Sequence, residues 1–445
     1  MKSSPGTAQT LNLDRHGLYD ATMKHPGFWL ALPLPWLAAG AIIWFMALAG
    51  GGATLIVNDT ADATDASPGD GVCETAAGNN VCTLRAAVQE SNGLSGIDTI
   101  IVPTGTYTLT ISGSGEDAAA TSDLDILELV TINGAGSDET IIDGGGLDRV
   151  FHVMSGFDGP TKLSGLSLQN GDGNSGGGIY IVQSRAAITA SRFTSNTGGW
   201  AGGGIHVASG YLTLTQSTVD NNLVIDSNGN GGGISAMGRT LWVGDSVIYS
   251  NTAMTAPSYG GGLTIFGWST IVNTTFSGNQ AENGGAVRLG IGDHTFTNTT
   301  IADNTAVTGG GLFDDPLYFG TTVIANSIVA GNSPTNCDDN GELFSQGHNL
   351  DSSDHCGFSS TGDLTNTNPL LGPLQDNGGP TWTHALSLIS PAIDTADNNN
   401  CPPTDQRGQP RPVDGDGDST ATCDIGAYEL QLVQLFKLYL PIVLK

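Results

Sequence analysis

Chemistry in this chain would have to come from a short list of side chains. Asp414, Asp416 and Asp418 have the D-x-D-x-D spacing that can set three carboxylates around a calcium ion. Ser419 stands where an EF-hand loop has its turn glycine and Ile425 where it has the closing glutamate, so such a site would be of another type, and a solvated acidic loop is the competing reading. Asp314 and Asp315 are adjacent carboxylates, a pair that can supply acid and base for inverting hydrolysis of a glycosidic bond. A solvent-facing loop pair is the preferred reading. His206 and Arg288 are the bases to consider, although surface or structural roles are the preferred reading of both. Tyr180, Trp200 and Tyr259 offer ring faces that could stack on sugars.

Composition narrows the partners. Basic residues number 14 against 43 acidic ones, a formal charge of −29, which excludes nucleic acid and anionic membrane surfaces because phosphate binding needs clustered Lys and Arg. With 65 glycines and 13% charged residues, the chain lacks the Glu, Lys and Leu of helical bundles and suits a turn-rich β architecture.

The elements that would position those residues are set by an internal repeat. Glycine-rich triplets begin at Gly176, Gly202, Gly231, Gly260, Gly284 and Gly309. Each is followed by a pattern [ST]-x-[FVI]-x-x-N ending at Asn196, Asn222, Asn251, Asn279, Asn304 and Asn332. The spacing from triplet to Asn is nearly constant, whereas the spacing from Asn to the next triplet varies, so one loop per repeat absorbs the length differences. Alternating apolar residues such as Ile179 and Ile181, Leu212 and Leu214, and Phe193 mark three short strands per repeat. Three short strands in about 25 residues, with no crossover helix, predict coils of a right-handed parallel β-helix, each of which buries its apolar face only by stacking on the next. The six asparagines should then form a side-chain ladder along the axis, and the triplets should be tight turns with positive φ.

Both chain ends differ from this. Phe28–Ala49 is an uncharged apolar run after Lys24 that closes on Ala47-Leu48-Ala49, which reads as a secretory signal with Met23 as the start, Met1 being the alternative. A retained membrane anchor is the rival reading, strained by Pro33 and Pro35. Removal of residues 1–49 would leave a charge of −30. Export fits six cysteines in three local pairs, Cys73 with Cys82, Cys337 with Cys356, and Cys401 with Cys423, expected as disulfides rather than zinc ligands. Thr83–Asn92 has helical spacing with Thr83 as N-cap, and a helix there would cover the open end of the solenoid.

Three resemblances attach to these segments. CTLRAAVQESN, followed by DTIIVPTGTYTLT, resembles the CSLREA-type N-terminal region of secreted bacterial β-helix proteins, except that Ala86 replaces the glutamate of the capping box and should weaken the helix start. FSGNQAENGGAV at Phe276–Val287 resembles the repeats of chlamydial polymorphic outer-membrane proteins. GHNL, NPLLGPLQDNGGPTWTHAL, SPAID, DQRGQPRP and CDIGAYE, between Asn336 and Leu430, resemble a choice-of-anchor Q region, which implies a surface-attachment tail after it. That tail, 431–445, is too short to span a membrane, is similar to the LPxV endings of secreted Chloroflexota proteins, and also reads as a final apolar strand.

The resulting layout is a signal or anchor at 1–49, a cap at 50–97, the β-helix at 98–332, a disulfide-stapled C-terminal region at 333–430, and the tail. Such folds include pectate lyases and polygalacturonases, so catalysis has to be weighed. If the first and third residues after each triplet point inward, then Tyr180, His206, Ser235, Thr264, Arg288 and Phe313 are exposed, with Asp315 at the next outward position of its coil. No acidic cluster meets a base in this arrangement, His206 and Arg288 lie three coils apart, and the NTD and RIK motifs of polygalacturonases are absent. The reading is an exported monomer displayed at the cell surface and binding a glycan or protein, without polyuronate lyase or hydrolase activity. A secreted polysaccharide lyase or glycoside hydrolase is the alternative, and calcium is the one cofactor suggested.

Overall fold

The computed structural model describes residues 51–113 and 115–431. The expected signal segment, and the tail from residue 432 onward, lie outside the described residues. The described residues belong to one compact unit.

Three parallel sheets of 11, 10 and 9 strands run the length of a parallel β-helix. One coil shows the order: Ile179–Val182 in the third sheet, Arg185–Thr189 in the first, and Arg192–Thr194 in the second. The next stretch, Thr197–Ala201, joins a lateral four-stranded sheet made by the variable loops. Register holds apolar residues in line from coil to coil, as in Phe193, Val219, Ile248, Phe276, Ile301 and Val329 of the second sheet. All six are buried and belong to a core that extends from the N-terminal cap to the last coil. No single coil could enclose such a core, which is why the repeat must stack.

Each corner has its own chemistry. The first glycine of every triplet has φ between +59° and +70°, where an L side chain is strained. A Cβ on Gly177 would strike the Thr197 carbonyl of its own coil and the Gly203 carbonyl of the next. At another corner Ala190, Gln216, Asp245, Asn273, Asn298 and Asn326 all take left-handed φ near +50° without glycine, at about 1 kcal/mol each. The asparagine ladder forms as expected: Nδ2 of Asn196, Asn222, Asn251, Asn279 and Asn304 each donates to Oδ1 of the next asparagine at 2.9–3.0 Å. A second ladder went unread in the sequence. The amides of Ser191, Ser217 and Thr299 donate to the hydroxyls of Ser217, Ser246 and Ser327 one coil on.

The solenoid is longer than 98–332. Thr54–Ile56 pairs with Asp98–Val102, and Cys337–Asp338, Leu343–Ser345 and Leu350–Asp351 supply one more coil that lacks the repeat motif. Asn336 continues the ladder there by accepting from Asn332 Nδ2 at 3.0 Å. The helix Leu84–Gly93 covers the first coils, with Leu84, Ala87 and Val88 in the core. Its start is better held than the missing glutamate suggests, because Thr83 Oγ1 still accepts the Ala86 amide at 3.1 Å.

The three local disulfides are present. Beyond Asp363 the chain turns back along the outside of the second sheet, where Thr275 donates to Gln406 at 2.6 Å, Ser277 meets His384 at 3.0 Å, and Asn326 donates to the Asp397 carbonyl at 3.0 Å. The C-terminal region thus shields one sheet and leaves the third to face the variable loops. No helix among the described residues is long and apolar enough to cross a membrane.

Candidate functional site

The outward positions of the third sheet form one row. Register aligns Asp125, His152, Tyr180, His206, Ser235, Thr264, Arg288, Phe313 and Asp338. This confirms the phase read from the glycines and the three-coil separation of His206 from Arg288. It corrects the exposure: His206, Ser235, Thr264, Arg288 and Phe313 are buried, and Tyr180 is half-buried. The variable loops fold over the middle of the row and bury it, while His152 and Tyr180 stay half-buried and Asp338 exposed.

Arg288 shows how. Its Nε and Nη2 donate to Asp315 Oδ2 at 2.9 and 2.6 Å, and Nη1 donates to Asn230 Oδ1 at 2.6 Å. The guanidinium lies 3.8 Å from the centre of the Tyr259 ring, with Phe266 and Tyr318 at 5.0 and 5.5 Å. Asp315 is therefore a buried counter-ion and not a solvent-facing loop carboxylate. Asp314 is buried as well, but it stands in register with inward Leu289 and its carboxylate accepts the Asn340 amide at 3.3 Å. Burial raises its pKa to about 6. The two aspartates thus serve different neighbours and do not converge on one bond.

Around this core opens a cleft of about 500 Å³ walled by Trp200, Met237, Tyr259, Phe266, Leu317 and Tyr318. Trp200 meets His206 edge-on at 6.1 Å, and Phe266 meets Tyr318 edge-on at 4.9 Å. Leu317 and the nearby Phe319 are 76% and 79% exposed, an apolar lip beside the opening. With the Arg288 charge matched by Asp315, the cleft offers ring faces and amides but no net charge. Such a surface fits the C–H face of a sugar ring better than an ion.

The row changes character toward the N-terminus. His206, Tyr180 and His152 stack at 5.2 and 5.1 Å. Burial holds the His206 imidazole neutral, its pKa lowered to about 4. Past His152 comes a carboxylate group that sequence reasoning missed, in which ligand atoms of Asp117, Asp125 and His152 lie within 4.8 Å of one another and Arg149 stands 3.5 Å from Asp123 and Asp148. Burial, followed by the charge of Asp125, raises Asp123 to about 7. An acidic cluster does meet basic groups on this sheet, contrary to expectation. It lies in coils before Gly176, where the triplets that set the phase have not begun.

In the C-terminal loop the three aspartates do not converge as spaced. Asp394, Asp414 and Asp416 bring ligand atoms within 4.8 Å, whereas Asp418 accepts the Thr420 amide. Asp394 accepts the Gly415 and Asp416 amides, and burial raises its pKa.

No family model matches the chain, and no curated protein matches it. Among solved structures it is similar to the pectate lyase Pel9A, with 14% sequence identity, a TM-score of 0.41, and coverage of 86% of this chain and 97% of that one. The assignment as a parallel β-helix accordingly rests on the strand register itself.

Proposed function

We propose that this is an exported, cell-surface β-helix protein whose third sheet and variable loops bind a neutral carbohydrate. The observation that carries the reading is the aromatic cleft around Trp200, Tyr259, Phe266 and Tyr318, where Arg288 is already paired with Asp315. Stacked rings recognise sugar faces without needing charge. A chain of −29 would also repel polyuronates, for which no free cation lines the cleft among the described residues. Export is supported by the three disulfides, which persist in oxidising compartments, and by the resemblance of the N- and C-terminal regions to CSLREA-type and choice-of-anchor Q segments.

A glycan array followed by calorimetry tests this. Neutral oligosaccharides are expected to bind and polygalacturonate not to, and Trp200→Ala and Tyr259→Ala should each weaken binding about tenfold, the loss of one good stacking contact. Binding unchanged in both variants would overturn the reading. Release of unsaturated product or new reducing ends, with calcium present, would establish the lyase or hydrolase alternative instead.

A further inference from the structure

We propose that Asp117, Asp125 and His152 form a site for one divalent first-row transition cation of the zinc type, at the N-terminal end of the outward row. The inference is independent of the carbohydrate reading.

Asp125 and His152 are in-register neighbours on adjacent coils, and Asp117 reaches them from the preceding loop. His152 Nδ1 lies 3.3 Å from Asp125 Oδ1 and 3.8 Å from Asp117 Oδ1. The longer distance is too great for a hydrogen bond. The shorter one suits two ligands of a shared cation, since donors held at about 2.0–2.2 Å from a tetrahedral ion stand roughly 3.3–3.5 Å apart, and Asp117, on an exposed loop, would close by a few tenths of an ångström to join them.

A second observation points the same way. The Asp125 side chain is fully buried; its Oδ2 accepts the Ala119 amide at 2.8 Å, but Oδ1, aimed at His152, has no hydrogen-bond partner. A buried carboxylate oxygen without a donor is costly, and a cation supplies what is missing. Charge agrees: Asp123 and Asp148 stand close by, and the Arg149 guanidinium, at 3.5 Å from each, already serves those two.

The donor set selects the ion. Calcium and magnesium take oxygen ligands, whereas an imidazole nitrogen with two carboxylates suits zinc, cobalt or nickel. Tyr180 stacks on the His152 ring and fixes its plane. Asp117 is 71% exposed, so the site opens to solvent on that side, where water or a ligand oxygen could complete the coordination.

The test uses untagged, chelator-treated protein titrated with Zn²⁺ by calorimetry and with Co²⁺ by visible absorption. One equivalent should bind and withstand millimolar calcium and magnesium. His152→Ala and Asp117→Asn should each weaken it at least tenfold. Asp117→Asn alters an exposed side chain, so it decides the matter even where the His152 variant does not fold. Absence of a cobalt spectrum in the parent protein, displacement by calcium, or affinity unchanged in Asp117→Asn would overturn the proposal.

Discussion

Replacing Asp315 with alanine is expected to destabilise the protein by about 3–5 kcal/mol, because it leaves the Arg288 guanidinium charged, largely desolvated and without its counter-ion. The two side chains keep 6% and 4% of their exposure. Asp315 Oδ2 receives two guanidinium bonds, and Oδ1 accepts the Leu317 amide at 3.0 Å, so one substitution removes three bonds. What remains for the cation is one bond to Asn230 and the ring of Tyr259, and a cation–π contact of about 2 kcal/mol does not replace a counter-ion. Arg288→Met should cost a similar amount by stranding the carboxylate. The double variant, Arg288→Met with Asp315→Leu, removes both charges and should recover most of the loss, since apolar replacement of a buried pair is often neutral. Urea unfolding of all four proteins measures the coupling. A loss of about 4 kcal/mol corresponds to a melting shift of roughly 5 °C in a chain of this size unfolding as one unit. Strictly additive losses, or single variants costing under about 1 kcal/mol, would refute the description of Arg288 as a paired, desolvated cation.

Three further outcomes follow from the geometry. Asn251→Ala should cost roughly 2–5 kcal/mol in urea, because it strands the Asn222 amide, the Val219 carbonyl and the Asn279 side chain. Asn251→Asp should cost more despite its matching shape, since its charged oxygen would face Val219 O and Asn279 Oδ1; an aspartate variant more stable than the alanine one would refute the ladder's donor assignment. His206 has a folded pKa near 4, below its ordinary 6.5, so the unfolded chain gains the proton first and stability present above pH 6.5 is lost as pH falls toward 4. Relative to His206→Asn, the parent should lose on the order of 2 kcal/mol between those limits, and parallel pH–stability curves would refute the burial argument. Millimolar calcium is expected to raise the melting temperature through Asp394, Asp414 and Asp416, and a temperature indifferent to calcium and to chelator would count against that site.

The coil was legible because stacking imposes the same demand at the same phase in every repeat. Gly176 and its five successors need positive φ, and Asn196 and its successors need an amide that both donates and accepts, so neither position tolerates much else. The corner at Ala190, Gln216, Asp245 and Asn273 was not legible, since several residue types tolerate left-handed φ when their neighbours hold them there. The last coil was hidden for a related reason: Asn336 continues the ladder from a loop, at a spacing of four residues in place of the usual repeat.

The outward row was half legible, and the missing half has a definite cause. Periodicity specifies which way Arg288 points, but its burial depends on Asn230, Tyr259 and Asp315, which come from three other coils through loops of unequal length. Phase is carried by the strands and lost in the loops, so a residue's direction can be read from sequence while its cover cannot. The Asp125–His152 pair is different. Leu124-Asp125-Ile126 and Phe151-His152-Val153 repeat the in-out-in pattern of Ile179-Tyr180-Ile181, and extending the register two coils before the first triplet would have put a carboxylate beside an imidazole on the same face. Only Asp117, which enters from an irregular loop, lay beyond reach of that argument. A solenoid site built from adjacent coils is therefore readable to the extent that its residues sit on strands, and this one places two of three ligands there.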